Sequence, residues 1–298
     1  MLPVIDAHAD TLSRIYENKM PPLIDFSRHC NNKAVFLALW GHSYDTLMTV
    51  YRDELDNHKK TMAHCKTLHD MQTAWHENKL ATFLSIEGAD VIDCDAARLD
   101  QVKKDGIRMI APVWNKANKL CGSCRDLPAQ GLTEQGREFI ERCFELRFMI
   151  DLSHASDATF WDIAALAKSY NGRIVCSHSN ARELCNTVRN ISDEMFYALR
   201  DADGVIGLNL FTYFVNGTDA ANWEDAAGHI MHWIKLGGEN TIALGGDWDG
   251  CDLHGVDYMV GENRIGLDYT PLYAILKACG ISIATIEKLF YRNMMRMI

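Results

Sequence analysis

Short runs of apolar and β-branched residues alternate along this chain with longer stretches in which apolar residues recur every three to four positions. The short runs predict buried strands, and the longer stretches predict amphipathic helices. Eight strands are predicted, at residues 4–8, 33–40, 81–87, 107–113, 148–154, 173–178, 205–210 and 241–247. Eight repeated βα units favour an α/β fold, a closed (β/α)8 barrel of the TIM type, with an open doubly wound sheet as the alternative.

Helical patterns fill the intervals between these strands. The longest, residues 44–79, is too polar for one core helix and is interpreted as a kinked or paired helix. Thr133 is predicted to cap the helix that follows it. Further helices are predicted at residues 157–170, 193–200, 219–236, 271–278 and 282–297. No low-complexity tract or linker interrupts the pattern, so residues 1–298 are expected to form a single domain.

Composition narrows the classes of function. A net charge of −10 argues against a nucleic-acid partner, whose phosphates would be repelled. No apolar run approaches the roughly 20 residues that a membrane-spanning helix needs. The chain begins almost directly in a strand, so we expect no signal peptide and a cytoplasmic location. The ten cysteines, including the Cys121–Cys124 pair, are therefore interpreted as reduced thiols.

Metal-binding side chains recur at the ends of the predicted strands. Strand alternation directs His8 and Asp10 to one face. Further candidates follow the third, fifth, sixth and eighth predicted strands: Glu87, His154, His178 and Asp247. Because the carboxyl ends of barrel strands converge on one mouth, these six side chains are expected to meet there.

Six ligands exceed the three that a catalytic zinc ion usually takes from the protein, so the set predicts two divalent ions. His8, Asp10 and Asp247 are assigned to one ion, His154 and His178 to the other, and Glu87 bridges them. Imidazole and carboxylate ligands fit Zn²⁺ best, with Mn²⁺, Fe²⁺ or Co²⁺ as alternatives. A hydroxide held between the ions would be the nucleophile, and Asp247 is placed to shuttle its proton to a leaving amine.

The order of motifs along the chain resembles the membrane (renal-type) dipeptidase family of dinuclear zinc peptidases. The motifs are Asp6-Ala7-His8-Ala9-Asp10, Ser85-Ile86-Glu87-Gly88, Gly131-Leu132-Thr133-Glu134, Ile150-Asp151-Leu152-Ser153-His154, Ser177-His178-Ser179-Asn180 and Gly245-Gly246-Asp247-Trp248. The resemblance implies a barrel with the same ligand division and hydrolysis of dipeptides, often with a C-terminal D-residue. It also implies that Arg189 binds the terminal carboxylate of the substrate, and that a homodimer is possible.

One position departs from the family pattern. Classical members carry a substrate-contacting histidine after the fourth strand, where this chain has Trp114 followed by Asn115. An indole offers one N–H donor and no charge, so a metal ion or Asn115 would have to stabilise the oxyanion instead. Trp114 is alternatively an apolar wall for a substrate side chain. The departure keeps two other functions open: a barrel amidohydrolase for a small amide or N-acyl amino acid, and a metal-binding barrel without turnover.

Overall fold

Eight parallel strands close into a barrel, as the alternation of short and long segments predicts. The computed structural model describes residues 2–261 and 265–298. The barrel order is β1-β2-β4-β5-β6-β7-β8-β9. Strand β2 pairs directly with β4 and so closes the barrel, whereas β3 pairs only with β4 and is not one of the eight barrel strands. The strands are β1 Val4–Ala9, β2 Lys33–Leu39, β3 Met62–His64, β4 Leu80–Glu87, β5 Ile107–Ala111, β6 Met149–Asp151, β7 Arg173–Ser179, β8 Val205–Leu208 and β9 Ile242–Leu244.

The extra strand β3 is the main difference from the sequence prediction. It lies in the segment interpreted as helical and pairs with the start of β4, Met62 opposite Leu80. Three residues are too short to produce a readable alternation of apolar and polar positions, so the sequence pattern could not show it. The paired helix expected there is present, as two helices on either side of β3. Several strands also end earlier than predicted, and β6 stops at Asp151 rather than residue 154.

Helices surround the barrel. They are α1 Thr11–Glu17, α2 Tyr44–Asn57, α3 Leu68–His76, α4 Leu99–Asp105, α5 Glu134–Glu145, α6 Asp157–Tyr170, α7 Asp193–Asp201, α8 Thr212–Val215, α9 Trp223–Lys235, α10 Thr270–Ala278, α11 Ile283–Glu287 and α12 Asn293–Met295. Short 3₁₀ turns occupy Ala89–Ile92 and Ala96–Arg98, and a π-helical turn, Lys288–Arg292, joins the last two helices. The hairpin strands β10 Asp252–Leu253 and β11 Val256–Asp257 follow β9.

Local sequence explains where these helices begin. The predicted cap of α5 is confirmed, because the Thr133 hydroxyl accepts a hydrogen bond from the Gly136 N–H at 2.9 Å. Ser43, Ser156 and Ser192 cap α2, α6 and α7 in the same way. Within the described ranges, no helix combines the length and apolarity that a bilayer span requires.

Side chains fill the inside of the barrel, so the interior is a packed core and not a channel. The rings of Phe36 on β2 and Phe83 on β4 stack with centroids 5.0 Å apart. Met109, Met149 and Val175 complete this inner layer and are at most 2% exposed. A filled interior leaves the carboxyl ends of the strands as the place where polar side chains can face a ligand.

Candidate metal centre and active site

The six predicted metal ligands converge at the carboxyl-terminal mouth of the barrel. They come from five strands and lie between residues 8 and 247 of the sequence. His8 and His178 lie within β1 and β7, and Glu87 is the last residue of β4. Asp10, His154 and Asp247 follow β1, β6 and β9. All six are at most 7% exposed, so their charges are held in a site with little access to water.

Glu87 lies at the centre of the cluster, with each carboxylate oxygen facing a different group. Its Oε2 is 3.6 Å from His8 Nε2, which is in turn 3.5 Å from Asp10 Oδ2 and 3.9 Å from Asp247 Oδ1. Its Oε1 is 2.7 Å from His154 Nε2 and 3.6 Å from His178 Nε2. Both subsets, Glu87 with His8 and Asp10 and Glu87 with His154 and His178, are close enough to share a cation.

Several buried atoms of the cluster have no partner among the described residues. His8 Nε2, Asp10 Oδ1 and Glu87 Oε2 are inaccessible to solvent and make no hydrogen bond. Leaving such groups unpaired costs about 1–3 kcal/mol each, and more when they are charged. His154 Nε2 and His178 Nε2 also face each other at 3.1 Å. A divalent cation satisfies these lone pairs together, so the residues fit a metal centre.

The ionisation of the cluster points the same way. Burial, reinforced by the carboxylate of Asp10, raises the pKa of Glu87 to about 8. Burial opposes charge on His8, but Glu87 and Asp10 together raise its pKa well above the usual value. Burial lowers the pKa of His154 and His178, with help from Arg189, which keeps both imidazoles neutral and able to bind a metal. Without a cation Glu87 and His8 therefore favour protonated forms, and a metal would displace those protons.

A network behind the ligands fixes their orientation. The Ser177 hydroxyl lies 2.7 Å from His178 Nδ1 and 3.4 Å from His8 Nδ1, and it donates to Asp151 Oδ2 at 2.5 Å. Asp151 Oδ1 also accepts the backbone N–H of Ser177 at 2.9 Å. Contacts of this kind hold an imidazole in one tautomer, with the opposite nitrogen directed at the metal.

The remaining ligands are held by amides and by the loop after β9. Asn115 Oδ1 is 3.0 Å from His154 Nδ1, so the contact that the structure gives Asn115 is to a proposed ligand. Asn209 Nδ2 donates to Asp247 Oδ2 at 3.0 Å and leaves Oδ1 directed at the cluster. Gly250 is required here, because a Cβ at that position would clash with the Asp10 carboxylate.

Asp6 connects the first strand to the same loop. Its buried carboxylate accepts hydrogen bonds from the N–H of Gly246, from Trp248 Nε1 at 2.8 Å and from the Tyr269 hydroxyl. It also accepts the backbone N–H of His8 at 3.0 Å. These bonds hold β1 and the loop that bears Asp247 in a fixed relative position.

Arg189 lies beside the histidine pair and is only 3% exposed. Its Nη1 donates to the backbone carbonyl of Ser153, and its Nη2 lies 3.1 Å from His154 Nε2. Its guanidinium also lies over the ring of Phe214, 5.2 Å from the centroid. This buried position does not match that of a surface ion pair.

Trp114 lies on another side of the mouth and is 36% exposed. Its ring centroid is 6.1 Å from that of His154 and 4.8 Å from that of Trp40. A cavity of about 280 Å³ opens between these features, lined by all the predicted ligands except His8 and by Arg189, Trp114 and Asn115. The structure thus brings every predicted site residue to one place.

Four residues of the site were missed by sequence reasoning: Asp6, Asp151, Ser177 and Asn209. The first three lie inside the motifs quoted above: Asp6 is two residues before His8, Asp151 three before His154 and Ser177 one before His178. Asn209 is a polar residue near the end of a predicted buried strand, the same signal that identified the ligands. Their roles were not visible because each one makes a hydrogen bond to a residue from another strand, as Ser177 does to Asp151.

The comparisons with known proteins agree with this architecture. The family model described as membrane dipeptidase, peptidase family M19, matches residues 42–298. A Klebsiella pneumoniae protein, described as an uncharacterized protein in the pqqA 5′ region, is 32% identical over 246 residues, 78% of this chain and 87% of its own length. The matched region begins after His8 and Asp10, so geometry alone places those two residues in the site.

Two solved structures share the fold across the whole chain. The dipeptidase AC, a metallopeptidase of family M19, superposes with a TM-score of 0.86 at 23% identity and covers 99% of this chain and 97% of its own. A metallopeptidase from Rhodobacter sphaeroides, bound to a phosphinate mimic of the dipeptide L-Ala-D-Ala, gives 0.81 at 22% identity, with 99% and 98% covered. Because the family model spans most of the chain, this protein belongs to the membrane dipeptidase family, and its activity is metal-dependent hydrolysis of dipeptides.

Proposed function

We propose that this protein hydrolyses dipeptides, including those with a C-terminal D-residue, with two divalent ions held by six buried side chains. The observation that carries the proposal is the position of Glu87, whose two oxygens face two separate sets of potential ligands. His8, Asp10 and Asp247 would hold one ion, His154 and His178 the other. The Rhodobacter sphaeroides neighbour bound to an L-Ala-D-Ala mimic supports this class of substrate.

Nitrogen and carboxylate ligands favour zinc, with other first-row ions as competitors. When bound, the ions would supply Lewis-acid polarisation of the scissile carbonyl and a nucleophilic water at neutral pH. The burial of the site strengthens this chemistry, because charges interact more strongly where water is excluded. We further propose that the protein works in a reducing, cytoplasmic environment, which is supported by its ten free cysteines.

Asp247 is proposed as the group that moves the proton. Asn209 holds its Oδ2, so Oδ1 faces the cluster and can accept a proton from the attacking water. Burial raises the pKa of Asp247 above the usual value for a carboxyl group, which favours this base and its later role as an acid toward the leaving amine. The side chain therefore serves both halves of the proton transfer.

Arg189 is proposed to bind the C-terminal carboxylate. A planar guanidinium holds a carboxylate through two parallel hydrogen bonds. In the structure Nη2 lies against His154 Nε2, the atom that a metal would take, so metal binding at His154 would free this donor for substrate. Trp114 and Asn115 are proposed to lie next to the substrate, with Asn115 acting through His154.

The test is a steady-state panel of L,L- and L,D-dipeptides, measured beside elemental analysis of the same preparation. We expect two metal ions per chain and hydrolysis that is lost on chelation and restored by zinc. Glu87→Gln should lower both the metal content and kcat/KM, whereas Glu138→Gln, at an exposed carboxyl on α5 away from the barrel mouth, should leave both unchanged. A preparation that holds both ions yet cleaves no dipeptide would contradict the proposal. Light scattering of the same sample tests whether the chain forms the homodimer that the family resemblance allows.

A further inference from the structure

We infer that this enzyme selects its substrates by the N-terminal side chain, which lies against a wall formed by Trp40 and Trp114. Large, flat side chains are therefore preferred at that position. The inference rests on the dipeptidase activity proposed above and names the class of substrate within it. Trp40 follows β2 and Trp114 follows β5, so both indoles lie at the mouth that holds the metal ligands.

The two indoles form a defined surface. Their rings meet edge to face, with centroids 4.8 Å apart and an angle of 63° between the planes. Gly88, at φ +88°, provides the space for Trp114, because an added Cβ would lie 3.2 Å from Trp114 Cβ. Trp40 Nε1 has no hydrogen-bond acceptor among the described residues. Gly88 therefore allows close packing against Trp114, while Trp114 remains 36% exposed at the mouth.

This tryptophan wall separates two cavities. Trp40, Trp114 and Glu87 line both the cavity of about 280 Å³ at the metal ligands and a neighbouring cleft of about 670 Å³. Small-molecule sites commonly measure about 300–1,000 Å³. The volume of the first cavity suits a small dipeptide. The neighbouring cleft therefore offers additional room for a larger side chain that extends across the tryptophan wall.

The direction of the substrate follows from the strand order. Arg189 follows β7, and β7 and β8 lie across the closed barrel from β2 and β4. A dipeptide whose carboxylate is on Arg189 and whose peptide bond is beside Glu87 must extend its N-terminal residue toward β2 and β4. The tryptophan wall and the larger cleft lie on that side.

Most charges of the cleft are offset by a neighbour of opposite sign. Asp93 and Arg98 form an ion pair at 3.0 Å and neutralise each other. Asp45 and Lys116 line the same cleft and carry opposite charges, and Asp90, which accepts a hydrogen bond from Asn118 Nδ2 at 2.8 Å, adds one negative charge. The flat aromatic surface is therefore the feature that distinguishes substrates, through burial of apolar area and through aromatic pairing.

The experiment compares L-Phe-D-Ala and L-Trp-D-Ala with L-Ala-D-Ala for the zinc-loaded protein. Burial of one aromatic side chain predicts a preference on the order of 10- to 100-fold in kcat/KM. Trp40→Leu and Trp114→Leu should each reduce this ratio. Trp161→Leu is the matched control, because Trp161 is 44% exposed on α6 and lines neither cavity. The ratio within one preparation does not depend on the fraction of active protein.

Calorimetric binding of phosphinate mimics of L-Phe-D-Ala and L-Ala-D-Ala to the zinc-loaded protein separates this inference from the proposed activity. Stronger binding of the aromatic mimic, lost in the Trp114 variant, supports the wall even if no dipeptide is hydrolysed, and absent hydrolysis then contradicts the activity alone. If a leucine variant fails to fold, Trp114→Phe should retain the preference and Trp114→Ser should lose it. Equal binding and equal turnover of L-Phe-D-Ala and L-Ala-D-Ala by the unmodified protein would overturn the inference.

Discussion

Removal of one hydroxyl behind the metal ligands tests how the site is held together. Ser177 lies 2.7 Å from His178 Nδ1 and bonds Asp151 on its other side. Ser177→Ala leaves every proposed ligand in place and removes the hydroxyl that orients His178 and lies 3.4 Å from His8 Nδ1. It also takes one hydrogen bond from the Asp151 carboxylate, which is 3% exposed.

Two effects of different size follow from this geometry. Loss of a group that orients a metal ligand typically lowers metal affinity about 10- to 100-fold. Since a tenfold change in affinity equals about 1.4 kcal/mol, the zinc-dependent part of the stability should fall by about 1.4–2.8 kcal/mol. The metal-free protein should lose a further 1–3 kcal/mol or so, because a buried carboxylate oxygen loses its donor.

Zinc titration against a chelating dye measures the first effect, and urea unfolding in EDTA measures the second. Thr133→Ala is a suitable control, because it removes the cap of α5 at a cost of about 1 kcal/mol without reaching the metal centre. Ser177→Ala with unchanged zinc affinity would refute the orienting role of the hydroxyl. Equal losses of affinity in both variants would show that the effect is only one of general stability.

Three further results are expected. Arg189→Lys should raise KM for dipeptides with a free carboxylate about 10- to 100-fold and leave KM for the corresponding dipeptide amides unchanged. Only the free carboxylate needs the bidentate contact. Equal effects on acids and amides would exclude this role. Trp114→His should lower the preference for aromatic N-terminal residues in kcat/KM, and an unchanged preference would contradict the wall. Burial raises the pKa of Asp249 to about 6, so folding favours the protonated carboxyl and the free energy of unfolding should fall by about 2 kcal/mol as the pH rises from about 4 to 6. Urea unfolding across this range should show a flatter dependence in Asp249→Asn, and identical slopes would contradict the assignment.

Sequence patterns predicted the barrel and the convergence of its ligands because both depend on strand ends. Glu87 and His178 end apolar runs, so a polar side chain there is readable without coordinates. The hydrogen bond from Ser177 to Asp151 and the pairing of Trp40 with Trp114 could not be predicted. Each contact joins two strands, and the distance between those strands depends on how the barrel closes. Strand β3 was also missed, since three residues carry no period. Asn115 illustrates the same limit: its position was identified, whereas its contact with His154 required the structure.

Two ions at the barrel mouth are proposed to carry out dipeptide hydrolysis. A titration of chelated protein with zinc tests this proposal, with bound metal and L-Ala-D-Ala hydrolysis followed in the same samples. We expect activity to appear as the sites fill and to reach its maximum at two ions per chain. Full hydrolysis in the metal-free samples, or no hydrolysis once both sites are filled, would contradict the claim.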